Sequence, residues 1–300
     1  MVKANPAVQK IKRITESIIN LPTLPTVVSK MIELVDNPKT SAASLARLIS
    51  ADQALTARIL KLANSAYYGF PREISTVNMA IVVIGFNTVK EMGLSLSVFE
   101  VFKDSGRDKS FDTAQFWQHS IGCGSAARLI ARRFKYQFIG EAFVAGLLHD
   151  IGKVILNQYM HEEFTAILTD VAENGALLDE AEIATVGATH SQIGGWLAEK
   201  WNLPRIIVDS IKHHHDPWEA KVDAALVAIV SVANYLCHIS TIGNSGRIVP
   251  IKPDERTWDI FRKASLPFDE PDLIELQTEF LLEFDKTESM MSFMHEGGEA

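Results

Sequence analysis

The stretch that most constrains this chain is AFVAGLLHDIGKVIL, running from Ala142 to Leu156. Phe143, Val144, Leu147 and Leu148 recur at the spacing of a buried helical face, so the polar residues that follow are delivered from inside a core. Those residues are His149 and Asp150. An imidazole beside a carboxylate at the end of a buried helix is costly to desolvate unless paired, and a divalent cation is an effective partner. Gly152 lets the chain turn, and Lys153 sets an ammonium one turn on, where a second anion can dock. The bland alternative is a satisfied core histidine beside a capping aspartate, and a motif this short does not separate the two.

The other histidines bear on that choice. His119 sits on a helical segment with Phe116, Ile121 and Cys123, and His190 precedes Ile193, Trp196 and Leu197. His213, His214 and His215 close the segment LPRIIVDSIKHHH just before Asp216-Pro217, where helix must end. Each lies near an end or an apolar face of a different helix, so a single site would have to be assembled from dispersed residues. Imidazoles at a helix C-terminus are favoured as cations by the dipole, and for His213 that explanation suffices. Nitrogen and carboxylate donors together suit iron, manganese, zinc or nickel, and do not suit calcium.

Composition limits the alternatives. Three hundred residues with 47% hydrophobic content can bury two cores, so two lobes are expected. A net charge of -8, from 29 basic and 37 acidic residues, argues against a surface that tracks nucleic-acid phosphates. The short basic run Arg128, Arg132, Arg133 and Lys135 is read as a solvated helix face. Cys123 and Cys237 lie in apolar helical segments outside any C-x-x-C spacing, which argues against a disulfide framework and against a thiolate zinc site. The segment MVKANPAVQKIKR lacks an apolar h-region and no window reaches membrane-spanning length without charge. The expectation is a soluble cytoplasmic protein without membrane partners.

Helical periodicity runs through the chain with almost no strand alternation, and the expected fold class is all-α. A first helix is expected over Lys3 to Ile19, stopped by LPTLP, and a second over Thr26 to Val35. Ser41 is expected to cap a third, and Ser50 with Gln53 to form a capping box ahead of a fourth. Ser75-Thr76 and Asn87 mark two more starts, with a stop at Gly85 between them. The polar segment KDSGRDKSFD reads as the junction, giving an N-terminal helical bundle over residues 1-105 packed on a second helical lobe over 106-286, with a disordered tail over 287-300. In the second lobe, helices are expected over Phe138 to Leu148, Ile151 to Tyr159, Glu162 to Glu173, Asp179 to Val186, His190 to Asn202, Pro204 to His214 and Glu219 to Ser240. Two more follow, over Pro253 to Ala264 and over Asp269 to Phe284, whose apolar stripe either mediates dimerisation or packs back on its own lobe. The pair Ser41 to Ser50 and Asp52 to Ala66 has the outline of a helix-turn-helix, but only Arg58 and Lys61 would face a groove.

The series His119, then His149-Asp150 within HDIGK, then His190 followed by Gly194, then His214-His215, resembles the HD superfamily of metal-dependent phosphohydrolases and its HD-GYP branch. The segments LPTLPTVVSKMIELVDNP, SLARLISADQALTARILKLANSAYYG and ISTVNMAIVVIGFNTVKEM resemble the opening of the HDOD family, HD-related output domains of bacterial signalling proteins. The resemblance implies that His119, His149 and Asp150 bind metal, with the place of a closing aspartate taken by Asn234. It also implies a second ion bound through His190, His214 and His215, with Lys153 facing a substrate phosphate and Asp150 shared with catalysis. The cofactor so implied is one or two divalent transition-metal ions, iron foremost, with manganese, zinc or nickel open. Replacing a carboxylate by the Asn234 amide removes a negative charge from beside the ion, and the Gly-Tyr-Pro segment of cyclic-di-GMP phosphodiesterases is absent after His215. The expected function is therefore a signalling output module acting by partner-protein or nucleotide binding. The alternative is a metal-dependent phosphohydrolase acting on a nucleotide or cyclic dinucleotide.

Overall fold

The computed structural model describes residues 26–36, 40–64, 74–102, 111–247 and 249–296. The helix expected over Lys3 to Ile19, the LPTLP stop, most of the KDSGRDKSFD junction and the last four residues of the expected tail lie outside them. Among the described residues every regular element is helical, in agreement with the all-α expectation. By contact the chain divides into two compact units, Met1–Thr23 with Asp104–Ile274, and Leu24–Lys103 with Glu275–Ala300.

In the unit built on Leu24–Lys103, α1 (Thr26–Asp36), α2 (Ala42–Ser50), α3 (Gln53–Ala63), α4 (Val77–Ile84) and α5 (Phe86–Val101) surround a core of Val28, Met31, Leu45, Ile49, Ile59, Ala80, Val89 and Leu94. Ser41 caps α2, accepting from the Ser44 N–H at 3.1 Å, and Thr76 caps α4, accepting from Met79 at 3.1 Å. Two expected starts are displaced. Ser50 ends α2, and α3 is opened by Asp52, whose carboxylate accepts the Leu55 N–H at 3.0 Å. A charged acceptor beside orphan N–H groups and the positive end of the helix dipole outcompetes a hydroxyl two residues earlier. Asn87 lies inside α5, which follows α4 across Gly85 at φ 96, a conformation open to glycine without Cβ strain. Arg58 is ion-paired with Glu100, which removes a cation from the helix-turn-helix outline.

The unit built on Asp104–Ile274 contains α6 (Thr113–Arg133), α7 (Ile139–Leu148), α8 (Ile151–Tyr159), α9 (His161–Asn174), α10 (Leu178–Thr185), α11 (His190–Lys200), α12 (Arg205–His213), a short 3-10 turn (Pro217–Glu219), α13 (Ala224–Ile239) and α14 (Glu255–Lys263). The continuous helix expected from Glu219 is broken instead. The Lys221 and Val222 N–H groups donate to the buried Asp209 carboxylate at 2.8 and 2.7 Å, and Asp223 restarts the helix by accepting from Leu226 at 3.0 Å. Asp223 also accepts from the buried Tyr136 hydroxyl at 2.8 Å. Asp223→Ala, which removes cap and partner together, is expected to cost about 2 kcal/mol in urea unfolding, and Tyr136→Phe less than half of that.

Close backbone approaches set the spacing in this unit. A Cβ on Gly146 of α7 would lie 2.6 Å from the Cys123 carbonyl oxygen of α6, so those helices pack with nothing between their backbones. Gly152 of α8 meets α11 in the same way, a Cβ there falling 2.8 Å from the Gly194 nitrogen and overlapping the His190 carbonyl oxygen.

The last helix, α15 (Asp272–Glu296), extends ten residues past the expected start of the disordered tail. The sequence from Asp285 to Glu296 has no glycine or proline and holds three methionines and two glutamates, so nothing breaks the helix before Gly297. Of its apolar stripe, Leu273, Leu276, Phe280 and Phe284 are buried within this chain, whereas Leu281 is exposed.

Candidate metal centre

His149 and Asp150 occupy the break between α7 and α8, with Asp150 at φ −98 and ψ 9. The His149 Nδ1 donates to the Gly146 carbonyl at 2.8 Å, and the His214 Nδ1 to the Ile211 carbonyl at 2.9 Å. The His190 Nδ1 donates to the Glu182 carboxylate at 2.8 Å, and its backbone N–H donates to the same carboxylate at 2.8 Å. An acceptor at Nδ1 fixes the tautomer with a lone pair on Nε2, which is how proteins orient metal-binding imidazoles.

Those Nε2 atoms converge on Asp150. Its Oδ2 lies 3.3 Å from His149 Nε2 and accepts from Lys153 Nζ at 2.7 Å. Its Oδ1 lies 3.2 Å from His190 Nε2 and 3.6 Å from His214 Nε2. His215 adds its Nε2 at 3.1 Å from that of His190, with the Arg247 guanidinium 3.3 Å away. His119, His149, Asp150, His190 and His214 are all 0% exposed, and Lys153 is 1% exposed. Two nitrogen or oxygen donors bound tetrahedrally to one ion at about 2.0–2.2 Å are roughly 3.3–3.6 Å apart, which is the scale of these separations. His149 Nε2, Asp150 Oδ1 and His214 Nε2 are buried without a hydrogen-bond partner. Each such orphan costs about 1–3 kcal/mol, and one cation would satisfy several at once. The donor set therefore fits a divalent transition metal.

Charge in the cluster is finely placed. Burial opposes ionisation of Asp150, but His149 and Lys153 outweigh it and hold the carboxyl well below the usual range. Burial likewise disfavours a charged His190, yet Glu182 prevails and raises it to about 9, so this ring must release its Nε2 proton before it can bind an ion, while burial lowers His214 to about 4. Burial also pushes His215 well below an ordinary imidazole. Asp179 is bound by Arg247 at 2.9 Å and lies 3.6 Å from His190 Nδ1.

The second half of the centre is built on α6 and α13. His119 Nε2 lies 3.0 Å from Asn234 Oδ1 and 3.4 Å from Cys123 Sγ, and its Nδ1 faces the Ile242 carbonyl at 3.4 Å. The ring centroid of His149 is 5.5 Å away. Gly243, at φ 64, presses against the α6 backbone, where a Cβ would fall 2.9 Å from the His119 Cα.

All the residues singled out in the sequence, His119, His149, Asp150, Lys153, His190, His214, His215 and Asn234, thus lie in one connected network. His213 does not, and sits 3.8 Å from Asp209. The Lys153 ammonium is spent inside the cluster, on Asp150 and at 3.1 Å on the Ser245 hydroxyl, and does not face solvent. Glu182, Asp179, Cys123, Ser245 and Arg247 were not anticipated as partners. Glu182 left a trace, because it shares the buried face of α10 with Leu178 and Ala181, an acid where an apolar residue belongs. Ser245 and Arg247 come from a loop with no periodicity to read.

Comparison with known proteins agrees with this architecture. A crystal structure of an HDOD domain protein of unknown function from Geobacter sulfurreducens superposes with a TM-score of 0.77 at 28% identity, covering 96% of this chain and 98% of that one. A candidate phosphohydrolase from Shewanella amazonensis SB2B shares the fold at a TM-score of 0.71 and 23% identity, over 94% of this chain and 98% of its own. An uncharacterized protein of Treponema pallidum is 26% identical over 223 residues, which are 74% of this chain and 43% of that protein. Ribonuclease Y of Mycoplasma mycoides is 30% identical over 153 residues, 50% of this chain and 29% of the enzyme, so the chain spans less than half the length of the curated relatives it matches. The HDOD domain profile matches residues 21–217, and with a match over most of its length this chain belongs to the HDOD domain family.

Proposed function

We propose that this protein is a regulatory output module of HDOD type whose second lobe, roughly residues 106-286, is stiffened by one or two divalent transition-metal ions. It acts by binding a signalling protein or a nucleotide and not by turnover, and iron is the foremost candidate metal. The observation that carries this is burial. His119, His149, Asp150, His190 and His214 are 0% exposed, and the lysine that would hold a phosphate is tied to Asp150. Closed sites stabilise folds, whereas catalytic sites keep an open coordination position. At a free metal concentration of about 100 Kd, binding to the native state alone adds roughly 2.7 kcal/mol. Chelation is therefore expected to lower the melting temperature by several degrees, readdition to restore it, and His149→Ala to abolish both the bound metal and the chelator response. Elemental analysis and thermal unfolding measure this, and a metal-free protein that ignores chelators would sink the proposal.

A second reading, a metal-dependent phosphohydrolase acting on a nucleotide or cyclic dinucleotide, is favoured by one feature. Asp150 offers Oδ2 towards His149 and Oδ1 towards His190 and His214, a geometry suited to bridging two ions. There Asp150 would share the ions, a bound metal would polarise a phosphoryl oxygen, and Lys153 would have to leave Asp150 for the phosphate. Turnover of a nucleotide panel by the metal-loaded protein, abolished in His149→Ala, would establish this reading over the first. No helix among the described residues is long and apolar enough to cross a membrane.

A further inference from the structure

Asp150 is already matched by Lys153 at 2.7 Å, so an ion seated between His119 and His149 would meet neutral donors on its other sides, the two imidazoles and the Asn234 amide. A divalent ion with that much uncompensated charge in a buried site is poorly held. Cys123 stands where an anion is needed. It lies four residues after His119 on the same face of α6, and its Sγ is 3.4 Å from His119 Nε2. A nitrogen at about 2.0–2.1 Å and a sulfur at about 2.3 Å from one tetrahedral ion are roughly 3.5 Å apart. His149 Nε2, buried and unpartnered, completes the group, the donor atoms of His119, Cys123 and His149 all lying within 4.8 Å of one another. Other than His119, the thiol has weak company, the Ala233 carbonyl at 4.0 Å and the buried Cys237.

We propose that Cys123 is a thiolate ligand of the ion held by His119 and His149, so that this half of the centre takes a borderline, thiophilic metal such as zinc, cobalt or ferrous iron and discriminates against manganese and magnesium. Binding exchanges the thiol proton for the ion: the S–H bond breaks, the S–metal bond forms, and the proton leaves to solvent. The C-x-x-C spacing that sequence patterns require is absent because the partners are imidazoles, His119 one turn earlier on α6 and His149 at the end of α7. The proposal rests on the reading that the centre binds a divalent cation, and the test separates the two.

The purified full chain is stripped of metal and titrated with cobalt(II) while its absorption is recorded. The expected result is visible d–d bands together with an intense near-ultraviolet sulfur-to-cobalt band. Cys123→Ser should lose the ultraviolet band and keep the visible ones, and Cys237→Ser should keep both. Visible bands without a sulfur band in the wild-type protein, or a sulfur band that survives Cys123→Ser, overturn the assignment while leaving the metal reading intact. No cobalt absorption at all overturns both. Should Cys123→Ser not fold, X-ray absorption of the zinc-loaded wild-type protein decides directly, with one sulfur at about 2.3 Å expected and a shell of nitrogen and oxygen alone contradicting it.

Discussion

Gly152→Ala is expected to be among the most damaging single substitutions in the second lobe, costing at least about 3 kcal/mol in urea unfolding and removing the bound metal. The added Cβ has no flexible neighbour to push aside. It meets backbone, overlapping the His190 carbonyl oxygen and lying 2.8 Å from the Gly194 nitrogen. Relief requires α8 and α11 to separate. That motion carries His190 away from Asp150, now 3.2 Å distant, so stability and metal content should fall together. Gly175→Ala is the matched control. Gly175 has φ 69 with nothing near its missing Cβ, so only the left-handed backbone cost of about 1–2 kcal/mol applies and metal should be retained. Equal losses in the two variants would show that the close approach between α8 and α11 is not what places the histidine.

Asp150→Asn is expected to cost about 3–5 kcal/mol, because it leaves the Lys153 ammonium buried at 1% exposure without its counter-charge. Adding Lys153→Met should recover most of that loss without recovering metal, which distinguishes a stranded charge from a lost ligand. A double variant no more stable than Asp150→Asn would show that the pair contributes nothing through charge. The same pair predicts a direction with pH. Burial opposes the ionised carboxyl, but His149 and Lys153 together hold its folded-state pKa well below the unfolded value. Its contribution is thus fully present above the unfolded value of about 3.9 and is lost as pH falls through the folded one. Acid unfolding of the wild-type protein should accordingly be steeper than that of the double variant.

Much of the centre was legible because chemistry and periodicity disagreed. A carboxylate, a lysine and imidazoles on otherwise apolar helices need partners, and at His149, Asp150, Lys153 and His190 that contradiction is written in the residue order. Capping was legible at Ser41, and within the Ser75-Thr76 pair it is Thr76 that accepts, from the Met79 N–H. It failed where two competed, as between Ser50 and Asp52, since local sequence does not say which donor a helix end will present. The extent of α15 was misjudged because polar composition resembles a tail, although nothing in it breaks a helix.

Residue order by itself determined the helical class and the residues that could not rest unpaired in a core. The tertiary structure alone decided which donors meet: that Glu182 holds His190, that Lys153 turns inward to Asp150 and Ser245, and that Cys123 stands 3.4 Å from His119. The physical reason is that side-chain identity fixes the need for a partner, whereas distance between residues far apart in the chain is set by how closely backbones can approach, and that is a property of the packed fold.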